Sequence, residues 1–146
     1  MEYQNLVKLQ GSQTVLIVDE DLGFLFWIGE LLVEAGYQPV PALNCEQAFN
    51  HIQQFEVDID VVVADAAVRG VSSMLQILRL ANSNLRIIIT KKPSMDVPQT
   101  MPPHAVLEKP AAWDTLNAVF DKPNAWETTS RQEWLRKVKR ALREAP

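Results

Sequence analysis

Asp19, Glu20, Asp21, Asp65, Thr90 and Lys109 share one placement, because each stands just after a short apolar run. The three acids follow TVLIV (14–18), Asp65 follows IDVVVA (59–64), Thr90 follows LRIII (85–89), and Lys109 comes just after AVL (105–107). If the chain brings Asp19, Glu20 and Asp65 together, three carboxylates repel one another unless a cation joins them. Donors that are all oxygen, with room left for water, suit magnesium or manganese rather than zinc. A metal there would offset the repulsion and leave one Asp65 oxygen as a nucleophile toward phosphorus. Lys109 supplies a point charge for phosphoryl oxygens and the Thr90 hydroxyl a hydrogen bond. These are the parts of a phosphoryl-acceptor site.

The elements that must position these groups alternate along the chain. The run 14–18 is β-branched and continuous, as a strand covered on both faces requires. After the acids, Phe24, Leu25, Ile28, Leu31, Leu32 and Ala35 recur at helical spacing, with Gly36 where a helix end wants positive φ. YQPVPA (37–42) has strand character with two prolines, which predicts an edge strand. Asn44 and Gln47 resemble a capping box opening a helix with Ala48, Phe49, Ile52 and Phe55. A third strand, 59–64, ends at Asp65. Ser72 or Ser73 is the expected cap of a helix carrying Leu75, Ile77, Leu78 and Leu80, before the strand 85–89. Between Lys92 and His104 stand Pro93, Pro98, Pro102 and Pro103, which predict an irregular loop where a helix might otherwise sit. A short strand at 105–107 follows, then a helix bearing Trp113, Leu116, Val119 and Phe120. Ser130 with Glu133 reads as the cap of a final helix whose apolar stripe is Trp134, Leu135, Val138, Ala141 and Leu142.

Short connections between alternating strands and helices imply a doubly wound parallel sheet. Ligands in such sheets bind at the carboxyl ends of the strands, where all of these groups fall. With strand order 2-1-3-4-5 the first and third strands are neighbours, and Asp19, Glu20 and Asp65 converge. The expected division is an N-terminal extension (1–13), a five-stranded α/β domain with a degraded fourth helix (14–122), and a C-terminal linker with an extra amphipathic helix (123–146).

Composition narrows the function. The chain has 146 residues, 47% hydrophobic and 22% charged, which suits one folded domain and not a two-domain enzyme. No run approaches the roughly 18 apolar residues of a membrane span, and the N-terminus lacks a secretory pattern, so the expected location is cytoplasmic. One cysteine and two histidines make no zinc cage, and any metal must use carboxylates. The net charge of −4 gives no general affinity for nucleic acid. From Ser130 onward, however, six cations face two acids, a local +4 that leaves −8 for the rest. A solvated helix face is the simplest use of those cations, and nucleic-acid binding is not expected. The stripe beside them suits packing on the domain or pairing in a homodimer. Phe24, Phe26 and Trp27 read as core and helix surface, His51 and His104 as surface residues, and Cys45 as a small half-buried residue.

VLIVDED (15–21), VVVAD (61–65), IIIT (87–90) and VLEKP (106–110), in this order, resemble the signature blocks of response-regulator receiver domains, the CheY-like, flavodoxin-like superfamily. The resemblance covers roughly residues 14–120 and identifies an atypical member. It implies two-component signalling, in which Asp65 accepts a phosphoryl group from a sensor histidine kinase or phosphotransfer protein. Asp19, Glu20 and Asp65 then hold Mg²⁺, Thr90 senses the phosphoryl group, and Lys109 contacts it, with a cis peptide before Pro110. Asp21 fits a helix cap better than a ligand. Such a module is no enzyme beyond self-catalysed phosphotransfer and dephosphorylation, and it acts through a downstream protein.

The departures from the pattern motivate an alternative, a phosphorylation-independent module that binds a protein partner. Arg69 stands where receivers usually have proline, Lys91 replaces a small residue at the pocket rim, and Val106 replaces a switching aromatic. The stretch from Asp65 to Thr90 is also short. EKPAAWDTL (108–116) and DKPNAWETT (121–129) are near copies, so Lys122 competes with Lys109 for the lysine role. Lys109 is preferred because Leu116 then falls where the family's last helix places an apolar residue. Nucleotide or flavin binding lacks a glycine-rich phosphate loop, with only five glycines in the chain.

Overall fold

The computed structural model describes residues 13–56, 58–92, 95–97, 103, 105–109 and 125–144. Its strands are β1 (Thr14–Val18), β2 (Gln38–Ala42), β3 (Val61–Asp65), β4 (Arg86–Lys91) and β5 (Ala105–Glu108). The helices are α1 (Leu22–Glu34), α2 (Cys45–Phe55), α3 (Val71–Ala81) and α4 (Ala125–Glu144). The strands form one parallel sheet in the order β2-β1-β3-β4-β5. The alternation predicts the parallel sheet, and the receiver resemblance implies that order.

Successive side chains of a strand point to opposite faces, and the core divides accordingly. Val15, Ile17, Val61, Val63, Ile88 and Leu107 meet α1 and α4 on one face. Leu16, Val18, Val62, Ala64, Ile87 and Ile89 meet Ala48 of α2 and Val71, Met74 and Leu75 of α3 on the other. β1 and β3 are buried along their whole length, which is why their sequences do not alternate.

β2 is an edge strand, and its prolines show why. Gln38 N–H donates to Gln13 O at 2.9 Å and Asp19 N–H to Ala42 O at 3.1 Å, so residues 38 and 42 face β1. Along a parallel ladder successive residues alternate in direction, so 38, 40 and 42 face β1 and 39 and 41 face away. Pro39 and Pro41 therefore fall on the free edge, where their missing N–H groups deny a further strand its donors.

Several local signals act as their residue types predict. Asp21 caps α1 by accepting from Phe24 N–H at 3.1 Å. Gly36 takes φ 92° after α1. Asn44 accepts from Gln47 N–H at 2.8 Å, and the Gln47 side chain accepts from Leu43 N–H at 2.8 Å.

Two caps differ from expectation. Gly70, at φ 79° and without a side-chain hydrogen bond, is the N-cap of α3, so Ser72 and Ser73 lie inside its first turn. The turn that follows Asp65 needs a left-handed residue, and only glycine takes that conformation without strain. α4 begins at Ala125, so Ser130 lies within the helix rather than at its start. Its apolar stripe packs on the domain: Trp134, Val138 and Ala141 are buried with α1. His51 is half-buried rather than on the surface. The described part of the β4–β5 connection, 95–97 and 103, is neither helix nor strand. The expected helix at Trp113–Phe120, Lys122, His104 and the peptide before Pro110 lie outside the described residues.

Candidate functional site

The sheet delivers its polar strand ends to one rim. Asp19 leaves β1, Asp65 ends β3, Thr90 is the next-to-last residue of β4, and Lys109 follows β5. Backbone bonds hold the rim together. Ala66 N–H donates to Thr90 O at 2.8 Å and Lys109 N–H to Lys91 O at 2.8 Å, which extends the β4–β5 pairing to Lys109. Asp65 and Thr90 are direct partners in the β3–β4 register.

Lys109, Asp65, Thr90 and Asp19 meet there with little access to water, at 5%, 5%, 1% and 3% exposure. Lys109 Nζ lies 2.8 Å from Asp19 Oδ2 and 3.3 Å from Asp65 Oδ1. Thr90 Oγ1 donates to Asp65 Oδ1 at 3.1 Å, and Ala67 N–H donates to Asp65 Oδ2 at 3.1 Å. Asp21 N–H donates to Asp19 Oδ1 at 2.9 Å. Both oxygens of Asp65 are thus engaged, and one ammonium serves two carboxylates.

Burial raises the Asp19 carboxyl above its ordinary value. The hydrogen bonds from Lys109 and the Asp21 amide and the Lys109 charge oppose that rise, while the nearby Asp65 charge adds to it. Charges taken out of water favour their neutral form unless fully compensated, and one cation between two acids compensates incompletely.

Not every expected participant arrives. Glu20 is exposed, and among the described residues no group of three His, Cys, Asp or Glu side chains gathers to hold a metal. In place of the three-acid cluster expected from the sequence there are two buried acids joined by Lys109. Two carboxylates still fit magnesium, which commonly binds through one or two carboxylates and keeps several waters.

Groups around the rim complete the site. Lys91 Nζ lies 3.6 Å from Glu108 Oε1, while Val106 and Arg69 are exposed. Cys45 Sγ donates to Arg69 O at 3.3 Å. Burial first, and the Glu20 charge second, push its thiol above the usual range. Sequence reasoning missed the role of Phe24, whose ring centroid lies 4.5 Å from Lys109 Nζ. Its helical spacing marked it as core, and no local signal tied it to a lysine 85 positions away.

No protein-family model matches the chain. The two-component response regulator-like protein PRR37 of Oryza sativa subsp. indica is 31% identical over 71 residues, 49% of this chain but only 10% of that protein. A response regulator from Thermotoga maritima superposes with a TM-score of 0.61 at 18% identity, covering 91% of this chain and 99% of that one. A second from the same organism, TrrA in complex with Mg²⁺-BeF, gives 0.57 at 21% identity over 75% and 96%. A receiver domain from Clostridium thermocellum gives 0.58 at 16% identity over 83% and 95%. With the same strand order and near-complete coverage of these domains, the chain has the CheY-like fold of response-regulator receiver domains.

Proposed function

We propose that this chain is a signalling receiver that takes up a phosphoryl group on Asp65 from a sensor histidine kinase or phosphotransfer protein, with Mg²⁺. The observation that carries the reading is the convergence of Lys109 and Thr90 on Asp65 Oδ1, with Asp19 paired to the same ammonium. A carboxylate placed among donors of this kind can bond to phosphorus as the bond between phosphorus and the donor's histidine nitrogen breaks. The electron pair leaves with that nitrogen. Lys109 and Thr90, already aimed at the carboxylate, are positioned to bind oxygens of the transferred group.

Asp19 and Asp65 would hold the metal, with Glu20 at the rim as a further oxygen donor. Magnesium, when bound, supplies positive charge that lets an anionic donor approach two acids. The reading carries with it a cytoplasmic location, a downstream protein partner, and no catalysis beyond self-phosphorylation and self-dephosphorylation.

A second reading keeps the fold and the acid pocket but not the chemistry, as a module that binds a protein partner whether or not it is phosphorylated. What favours it is that both Asp65 oxygens already have partners and that Val106 stands exposed where an aromatic was expected.

Incubation with acetyl phosphate and magnesium separates the two. The first reading expects one added phosphoryl mass, absent from Asp65→Asn. No uptake by the wild type rejects it. The second expects no uptake and a partner retained by Asp65→Ala.

A further inference from the structure

A continuous set of contacts joins α4 to the acid pocket through Phe24. The Trp134 ring of α4 meets Phe24 edge-on at 5.6 Å between centroids and Trp27 at 5.7 Å. Phe24 and Trp27 are themselves 5.9 Å apart. The Phe24 ring in turn lies under Lys109 Nζ at 4.5 Å. Phe24 is fully buried and Trp134 nearly so.

The backbone of Phe24 is tied to the pocket as well. Its N–H donates to Asp21 Oδ1 at 3.1 Å, and Asp21 N–H donates to Asp19 Oδ1 at 2.9 Å. Phe24 is therefore held in two ways, its backbone by the α1 cap and its ring by Trp134 of α4. The negative face of an aromatic ring attracts an ammonium, and the attraction strengthens where water is excluded.

We infer that Phe24 and Trp134 are positioning residues for Lys109, and that α4 is thereby a structural part of the acid pocket rather than an appendage to the domain. Phe24 offers the ammonium a third anchor beside Asp19 and Asp65. Trp134 meets Phe24 and Trp27 and acts through Phe24. The inference rests on the site described above, and the functional reading adds only its consequence, that Lys109 is the group contacting the phosphoryl oxygens.

The test reads Lys109 directly, in the unmodified full chain, by NMR of the lysine ε-methylene groups. The Lys109 signal is assigned by its loss in Lys109→Arg. The ring current of Phe24 should place that signal upfield of the other lysines, and Phe24→Leu should return it to their range. Trp134→Leu should move it part of the way, while Trp134→Phe, which keeps an aromatic edge, should restore it.

A wild-type Lys109 signal that coincides with the other lysines overturns the inference without recourse to any variant. So does a Trp134→Leu protein whose melting temperature falls while its Lys109 signal stays in place, because Trp134 would then only fill the core. Phosphate uptake is no part of this readout. A wild type that takes up no phosphate overturns the proposed function and leaves this inference to be decided by the lysine signal.

Discussion

Lys109 Nζ meets Asp19 Oδ2 at 2.8 Å although their strands, β5 and β1, are separated in the sheet by β4 and β3. The lysine side chain crosses the top of two strands and pairs with Asp65 on the way, at 3.3 Å. Removing it leaves two acids facing each other out of water. Lys109→Met should therefore destabilise the fold by about 3–5 kcal/mol near neutral pH, the range for breaking a buried ion pair from one side. Asp19→Asn added to that variant should recover part of the loss. Urea unfolding of the two variants checks this, and equal loss in both would show that the acids are not in conflict.

Thr90 Oγ1 and Lys109 share one oxygen of Asp65. Thr90→Val keeps the shape of the side chain and removes the donor. A hydrogen bond to a charged group contributes about 1.5–3 kcal/mol, so the variant should lose stability on that order. Thr90→Ser should retain most of it. Denaturant midpoints of the wild type and both variants decide the point.

Asp19 gives the fold a pH dependence whose sign follows from burial. Its carboxyl lies above the ordinary 3.8 in the folded chain. Between that value and its folded pKa the folded protein keeps a proton that the unfolded chain has released. Stability contributed by this group is complete below pH 3.8 and is lost as pH rises through the folded pKa. Asp19→Asn should remove this fall from the profile. Thermal melts across the acid range, with chelator present, test it, and an unchanged slope would assign the dependence to another group.

The free edge of β2 is protected by what Pro39 and Pro41 lack. Replacing both with threonine restores two N–H donors on a strand flanked by apolar side chains. The double variant should self-associate with rising concentration, as sedimentation velocity would reveal, while the wild type should do so less. Identical behaviour would show that the edge is guarded by something other than the prolines.

Cys45 should be a slow nucleophile. Burial and the Glu20 carboxylate both hold its thiol above its ordinary value of 9.0. Alkylation by iodoacetamide at neutral pH should lag behind a short cysteine peptide, and Glu20→Gln should speed it modestly, burial being the larger cause. A rate equal to that of the free peptide contradicts the assignment.

What the sequence alone determined was the alternation of strands and helices in a parallel sheet, the edge position of the second strand, and polar groups Asp19, Asp65, Thr90 and Lys109 at the strand ends; the order 2-1-3-4-5 came with the receiver resemblance. Those features come from neighbours in the chain: β-branched runs, helical spacing after Asp21 and Asn44, and prolines at 39 and 41 that suit only an edge. Tertiary structure decided the rest. It left Glu20 in solvent, gave the two buried acids to one lysine, chose Gly70 over Ser72 and Ser73 as the cap of α3, and laid Trp134 on Phe24. Each of these depends on which groups lose water together and on the partner each finds once it has. That balance is struck between residues far apart along the chain, so no local pattern records it.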